Sequence, residues 1–154
     1  MNYQETKTAA PEIEIYYKTT VKAEERPKIN QTNDVFRLMS EMGEMSRNME
    51  YKELFYALYM NTANDVLAVH KISEGTTKQT LVDIKFIMQG AILTNAASLI
   101  ICHNHPSGSI HPSRADDELT KSIKQACQLM RIHFADHVIV CDGLYYSYLE
   151  QGKL

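Results

Sequence analysis

A chain of 154 residues, 44% of them hydrophobic, carries enough apolar material for one ordinary core and an appendage, and too little for several independent domains. Its 16 basic and 19 acidic residues leave a formal charge of −3, which excludes a general electrostatic attraction to phosphate backbones or anionic membrane surfaces. Three cysteines, Cys102, Cys127 and Cys141, lack CxxC spacing, and no signal-type or membrane-length apolar run occurs, so a reducing, cytoplasmic setting is expected.

The first ten residues show no apolar period. From Glu12 to Val21 acidic, apolar and β-favouring residues alternate, which predicts a strand at about 12–21 that adds to the sheet or extends to a neighbouring subunit. Pro27 then breaks the chain. Thr32, Asn33 or Asp34 can cap a helix with Val35, Leu38, Met39 and Met42 on its apolar face and Gly43 at its end. Residues 1–48 are thus expected to form an arm and one helix, and residues 49–154 the main domain.

"NTAN" (61–64) separates two apolar, aromatic-rich runs, so a hairpin of strands at about 52–60 and 65–72 is predicted. After a turn at 74–80, Ile84, Ile87, Met88, Ala91 and Ile92 recur at helical spacing and predict a helix at about 84–95. "SLIIC" (98–102) lacks alternation and reads as a buried core strand. Leu119, Ile123, Cys127 and Met130 form the stripe of a helix at about 114–130, and "DHVIVC" and "LYYSYLE" supply two last strands. The fold class is α/β: a curved mixed sheet of about five or six strands flanked by helices.

The chemistry concentrates in "CHNHPSGSIHPSRADDE" (102–118). His103 and His105 stand two apart at a strand end, so side-chain alternation puts both imidazoles on one face, as convergent metal ligands require. Zinc accepts two imidazoles, one carboxylate and a water, and Asp116 at the start of the next helix can deliver the carboxylate. Helix capping competes for these residues, because Ser113 and Asp116 also form a Ser-x-x-Asp start with Asp117 and Glu118 suited to the helix dipole. Capping explains "SRADDE" but leaves His-x-His unexplained. His111, beside Pro112 in mid-loop, is the weakest ligand candidate. His70, His133 and His137 read as strand residues, with Asp136–His137 as a candidate orienting pair. Cys102 points away from the histidines and reads as core.

His103-x-His105, seven residues, Ser113, two residues and Asp116 resemble without gaps the His-x-His-x7-Ser-x2-Asp signature of the JAMM (JAB/MPN) metalloprotease superfamily. "HNHPSG", "PSRADDELT" and "DHVIV" are similar to its RadC-like branch, over about residues 50–154, and "EIEIYYKTTVKAEERPKI" resembles short members without a helix-hairpin-helix domain. Ser109 departs from the Asp or Asn usual in that loop, a position outside the metal pattern that bears on substrate fit.

The resemblance implies a cytidine-deaminase-like α/β architecture, a bound Zn2+ and hydrolysis of peptide or isopeptide bonds. It also implies a glutamate on an early strand as general base. Glu50, Glu53 and Glu74 all fit loosely by spacing, and alignment with "LFYALYMN" assigns the role to Glu53. Such a carboxylate deprotonates the metal-activated water, while the Ser113 hydroxyl is the expected donor to the oxyanion.

Two other function classes compete. One is a DNA-repair or DNA-processing accessory, the label carried by RadC proteins, with a metal-dependent nuclease as its narrower form. Lys121, Lys124 and Arg131 on one helix are too few for a phosphate track. Adjacent acids such as Asp116 and Asp117 point about 100° apart on a helix and chelate one site poorly. The other is a non-catalytic interaction module, against which the complete motif argues. The expected partners are a peptide or protein substrate and, in a homo-oligomer, further copies of the chain; membrane is not among them.

Overall fold

The computed structural model describes residue 11 and residues 13–75 and 81–154. Among them, one five-stranded sheet is formed by β1 (Leu54–Met60), β2 (Val66–Glu74), β3 (Ser98–Asn104), β4 (His133–Cys141) and β5 (Leu144–Ser147). The spatial order is β2-β1-β3-β4-β5. β3 and β4 are parallel and every other pair is antiparallel, so the sheet is mixed and the architecture is α/β, as the sequence predicts. The parallel pair needs a crossover, which α4 (Arg114–Leu129) supplies.

Helices cover both faces. On one, α1 (Thr32–Glu41) and α2 (Gly43–Asn48) bury Val35, Met39 and Met45 against Leu54, Tyr56, Leu58, Ile100, Cys102, Val138 and Val140. On the other, α3 (Ile84–Leu93) and α4 bury Ile87, Ala91, Ile123 and Cys127 against Phe55, Ala57, Tyr59, Leu99 and Ile101. β1 and β3 therefore alternate between two cores, which is why neither shows a polar face in the sequence. α3 presses closely on β1, since a Cβ at Gly90 would overlap the Tyr59 side chain.

The hairpin, the two main helices and the core strand lie where the sequence predicts them. Asn64 takes the left-handed conformation (φ 63°) in the "NTAN" turn, while the Asn61 side chain accepts from the Ala63 and Asp65 amides. Three expectations need correction. The described part of the 12–21 strand, residues 13–21, makes no ladder with the sheet. Ile13, Ile15 and Tyr16 are exposed, so the alternation presents no face to a core, and the edge of β2 is met by a side chain, the Tyr17 hydroxyl donating to the Leu67 carbonyl. "LYYSYLE" is a strand only as far as Ser147.

The third correction concerns the first helix. Thr32, Asn33 and Asp34 lie inside α1, and Asp34 at its third position accepts from the Asn30 (2.9 Å) and Gln31 (3.1 Å) amides. Gly43 opens α2 rather than terminating the helical region. α1 and α2 share one core with β1, β3 and β4. The first ten residues, and residues 76–80 of the predicted turn, lie outside the described part.

Candidate metal centre

β3 carries the site. Its odd-numbered side chains, Leu99, Ile101 and His103, face the α3/α4 layer, and His105 continues that side just past the strand end. Cys102 faces the opposite core and is fully buried; burial, and then the Asp136 charge, push its thiol far above the ordinary range. The loop returns through a turn at 105–108, closed by the Gly108 amide donating to the His105 carbonyl (3.0 Å) with Gly108 at φ +77°. This delivers Ser113 to the start of α4, one helical turn before the histidine face.

Capping and the geometry of a candidate ligand coincide on Ser113 and Asp116. The Ser113 hydroxyl accepts from the Asp116 amide (3.1 Å), and Asp116 Oδ2 accepts from the Ser113 amide and hydroxyl, each at 2.7 Å. That box holds the carboxylate with Oδ1 3.2 Å from His103 Nε2, while Oδ2 lies 3.4 Å from His105 Nε2. The two Nε2 atoms are 3.0 Å apart. Donors about 2.0–2.1 Å from one ion at tetrahedral angles stand roughly 3.3 Å from one another, so these spacings fit a single small divalent cation. The His105 Nδ1 proton goes to the Ser109 carbonyl at 2.7 Å, because a carbonyl only accepts, and Nε2 keeps its lone pair for the site. Since Ser109 contributes its backbone, its departure from Asp or Asn leaves this orientation intact.

The electrostatics suit an anionic ligand. Burial works to raise the Asp116 carboxyl, but the adjoining His103 and His105 rings and the Ser113 hydrogen bonds outweigh it and hold the group far below the usual carboxylate range. At His105, burial opposes the charged form, and Asp116, the Ser109 carbonyl and, most weakly, Glu53 outweigh it and raise the imidazole.

A cleft of about 710 Å³ opens beside the cluster, lined by Glu53, His105, Ser113, Arg114 and Asp116 with Phe55, Leu81, Val82 and Leu119 as apolar wall. Of the three glutamates left open by spacing, only Glu53 lines it. Glu74 is paired with Lys52 (3.1 Å) and Lys71 (3.2 Å), and Glu50 lines a separate depression with Arg47 and Asp142. His111 lines the cleft but is not in the three-residue cluster.

Of two further residues that matter here, sequence reasoning missed one and named the other only as half of an orienting pair. Asn104, between the two histidines, points to the opposite face and is fully buried. Its Oδ1 accepts from the Leu54 amide (2.7 Å), and its Nδ2 lies 3.2, 2.9 and 3.0 Å from the Asn48, Met49 and Lys52 carbonyls. One side chain thus fixes the segment that ends in Glu53. Asn104→Ala leaves several buried groups unpaired at about 1–3 kcal/mol each, so the thermal unfolding midpoint should drop by many degrees. An unchanged midpoint would contradict this role.

The second is His137, read above as a strand residue that forms a candidate orienting pair with Asp136. Its ring, rather than the Asp136 carboxylate, reaches the site: His137 Nε2 is 2.9 Å from His103 Nδ1. Asp136 faces the other core, where Thr32, Ser147 and the Leu149 and His137 amides donate to it. A register shift in the β3/β4 ladder next to Ala135 lets Phe134 and His137, three apart, share the α4 side. No period-2 reading predicts that. Burial, and then the His103 charge, push the His137 imidazole well below its ordinary value.

Among the described residues no helix is long and apolar enough to cross a membrane. Residues 29–153 match the RadC-like JAB domain family. The chain is 35% identical over 126 residues to a UPF0758 protein of Flavobacterium johnsoniae, covering 81% of this chain and 53% of that protein. It is 38% identical over 118 residues to one of Streptococcus sanguinis (77% and 50%) and 40% identical over 127 residues to one of Chlorobium chlorochromatii (82% and 55%). The chain therefore spans about half the length of these relatives. With the family match running from the segment before α1 through the end of the sheet, and identities of 35–40% over most of the sequence, the chain belongs to the RadC-like JAB domain family.

Proposed function

We propose that the chain is a zinc-dependent hydrolase of peptide or isopeptide bonds. One observation carries the reading: the ligand atoms of His103, His105 and Asp116 lie within 4.8 Å of one another, at a cleft that Glu53 also lines. Family membership supports the same class, while substrate is a separate matter from fold. Held by His103 Nε2, His105 Nε2 and Asp116, zinc supplies a Lewis acid that brings the pKa of a water from about 15.7 toward 7.

The chain's own groups do the rest. Glu53 accepts the proton of the attacking water and returns it to the departing amine nitrogen, so the amide bond breaks without releasing an unprotonated amine. The Ser113 hydroxyl, which donates to Asp116 Oδ2, orients the ligand carboxylate, and rotation about its Cα–Cβ bond turns the same proton toward a substrate oxyanion. Phe55, Leu81, Val82 and Leu119 offer apolar contact to the side chains of a peptide or protein substrate. A reducing cytoplasm suits the three buried, unpaired thiols.

The test is a library of peptides and isopeptide-linked proteins incubated with zinc-loaded protein and read by mass spectrometry. Cleavage that a chelator abolishes and added zinc restores is the expected result. Cleavage of DNA but of no peptide, abolished by chelator, would overturn the proposal in favour of a nuclease. For Ser113→Ala, zinc should be retained, hydrolysis should slow, and about 1 kcal/mol of stability should be lost with the helix cap; wild-type rate and melting temperature together would exclude both roles.

A further inference from the structure

We infer that His137, oriented by Thr120, is a positioning residue that fixes the tautomer of His103 and thereby sets the affinity of the centre for its metal. The inference rests on the reading of His103, His105 and Asp116 as a metal site, and follows from where each hydrogen in a buried chain of contacts must lie.

Thr120 Oγ1 stands 2.6 Å from the Asp116 carbonyl oxygen and 2.6 Å from His137 Nδ1. A carbonyl can only accept, so the single hydroxyl proton of Thr120 is committed to Asp116. The hydroxyl oxygen then accepts from His137, which must carry its proton on Nδ1. The lone pair of the neutral His137 ring is left on Nε2, 2.9 Å from His103 Nδ1, and His103 must donate across that contact. A neutral His103 ring then keeps its lone pair on Nε2, on the far side, where it faces Asp116 and His105 and would be offered to the cation. Within the Thr120–His137–His103 chain, reversing any one hydrogen would set two acceptors or two donors against each other where His103 and His137 are fully buried, whereas on the far side the acceptors His103 Nε2, His105 Nε2 and Asp116 meet as they would around a cation.

The ring planes are held as firmly as the protons. Phe55 stacks on His103 at 5.5 Å and 15°, and Tyr148 stacks on His137 at 4.8 Å and 2°, with the Tyr148 hydroxyl tied to Asp117 (2.8 Å). Metal-bound histidines commonly donate their second nitrogen to a carboxylate or a backbone carbonyl. Here a neutral imidazole takes that place, and it fixes the tautomer without adding a buried charge. Thr120 also links the relay to α4 through the Asp116 carbonyl, so the helix that carries the third ligand orients the first.

The experiment measures zinc affinity by competition with a chromophoric chelator, and reads the His103 tautomer in metal-free protein from long-range 1H–15N spectra, using the full chain. His137→Phe, which keeps a stacked ring but has no acceptor, should bind zinc about 10- to 100-fold more weakly, with His103 no longer in a single Nδ1–H form. His137→Gln, whose amide oxygen can accept from His103, should recover most of the affinity; a ring serving only to fill space would show no such rescue. Wild-type affinity and an unchanged His103 tautomer in His137→Phe would overturn the inference. If that variant does not fold, Thr120→Val decides: a several-fold loss with mixed His103 tautomers supports the relay, and wild-type behaviour in both readouts overturns it. Failure of the wild-type chain to bind zinc would count against the metal centre itself. The spectra of the wild-type protein would still judge the relay, which a neutral His103 ring carrying its proton on Nε2 would refute.

Discussion

Metal analysis of the purified protein is expected to give about one zinc per chain, and none in the His103→Ala/His105→Ala variant. The effect is large because the two substitutions remove both nitrogen donors, leaving Asp116 as a lone carboxylate already engaged by Ser113. A single carboxylate holds zinc far too weakly to survive purification. Since His103 lies in the core against Phe55, the double variant should also lose some stability, and circular dichroism serves to separate loss of metal from loss of fold. Full zinc occupancy in a folded double variant would remove the basis for the centre described above. Partial occupancy in the wild type would not, because chelators and buffers strip metal; adding zinc and repeating the measurement distinguishes the two.

The second large effect is expected at Glu53. Glu53→Gln keeps the size and polarity of the side chain but removes its capacity to take a proton, so zinc content and unfolding temperature should match wild type while hydrolysis falls by about 10²- to 10⁴-fold. Glu53 belongs to no ligand group, and its backbone carbonyl accepts from the Gly75 amide (2.9 Å), a contact the substitution leaves in place. The comparison must be made on a substrate that the wild-type protein cleaves. Unchanged activity there would redirect the search to Glu50 or Glu74, although Glu74 is already neutralised by Lys52 and Lys71, which together hold it below its usual carboxylate range. Loss of zinc along with activity would instead make Glu53 part of the metal binding.

What the sequence determined by itself is whatever depends on local spacing. Alternation along one strand put His103 and His105 on one side, and the Ser-x-x-Asp start oriented Asp116, because a strand end and a first helical turn are each fixed by a few neighbouring residues. The same holds for the β-hairpin turned by "NTAN" and for the apolar stripes of α3 and α4. Local pattern failed at 13–21, where alternating residues found no face to bury, and at α1 and α2, whose place in the main core depends on contacts with strands far along the chain.

Spacing left three glutamates open and the resemblance pointed to Glu53; only the tertiary structure puts that side chain, and neither of the others, on the cleft built from β3 and α4, since spacing says nothing about which carboxylate a hairpin brings there. It alone revealed Asn104 as the clamp on the segment leading to Glu53, and His137 as the partner of His103 across 34 residues. Both are buried polar groups whose partners come from distant parts of the chain. A hydrogen bond of that kind leaves no periodic trace, because its geometry is set by strand order and a register shift rather than by neighbours in sequence.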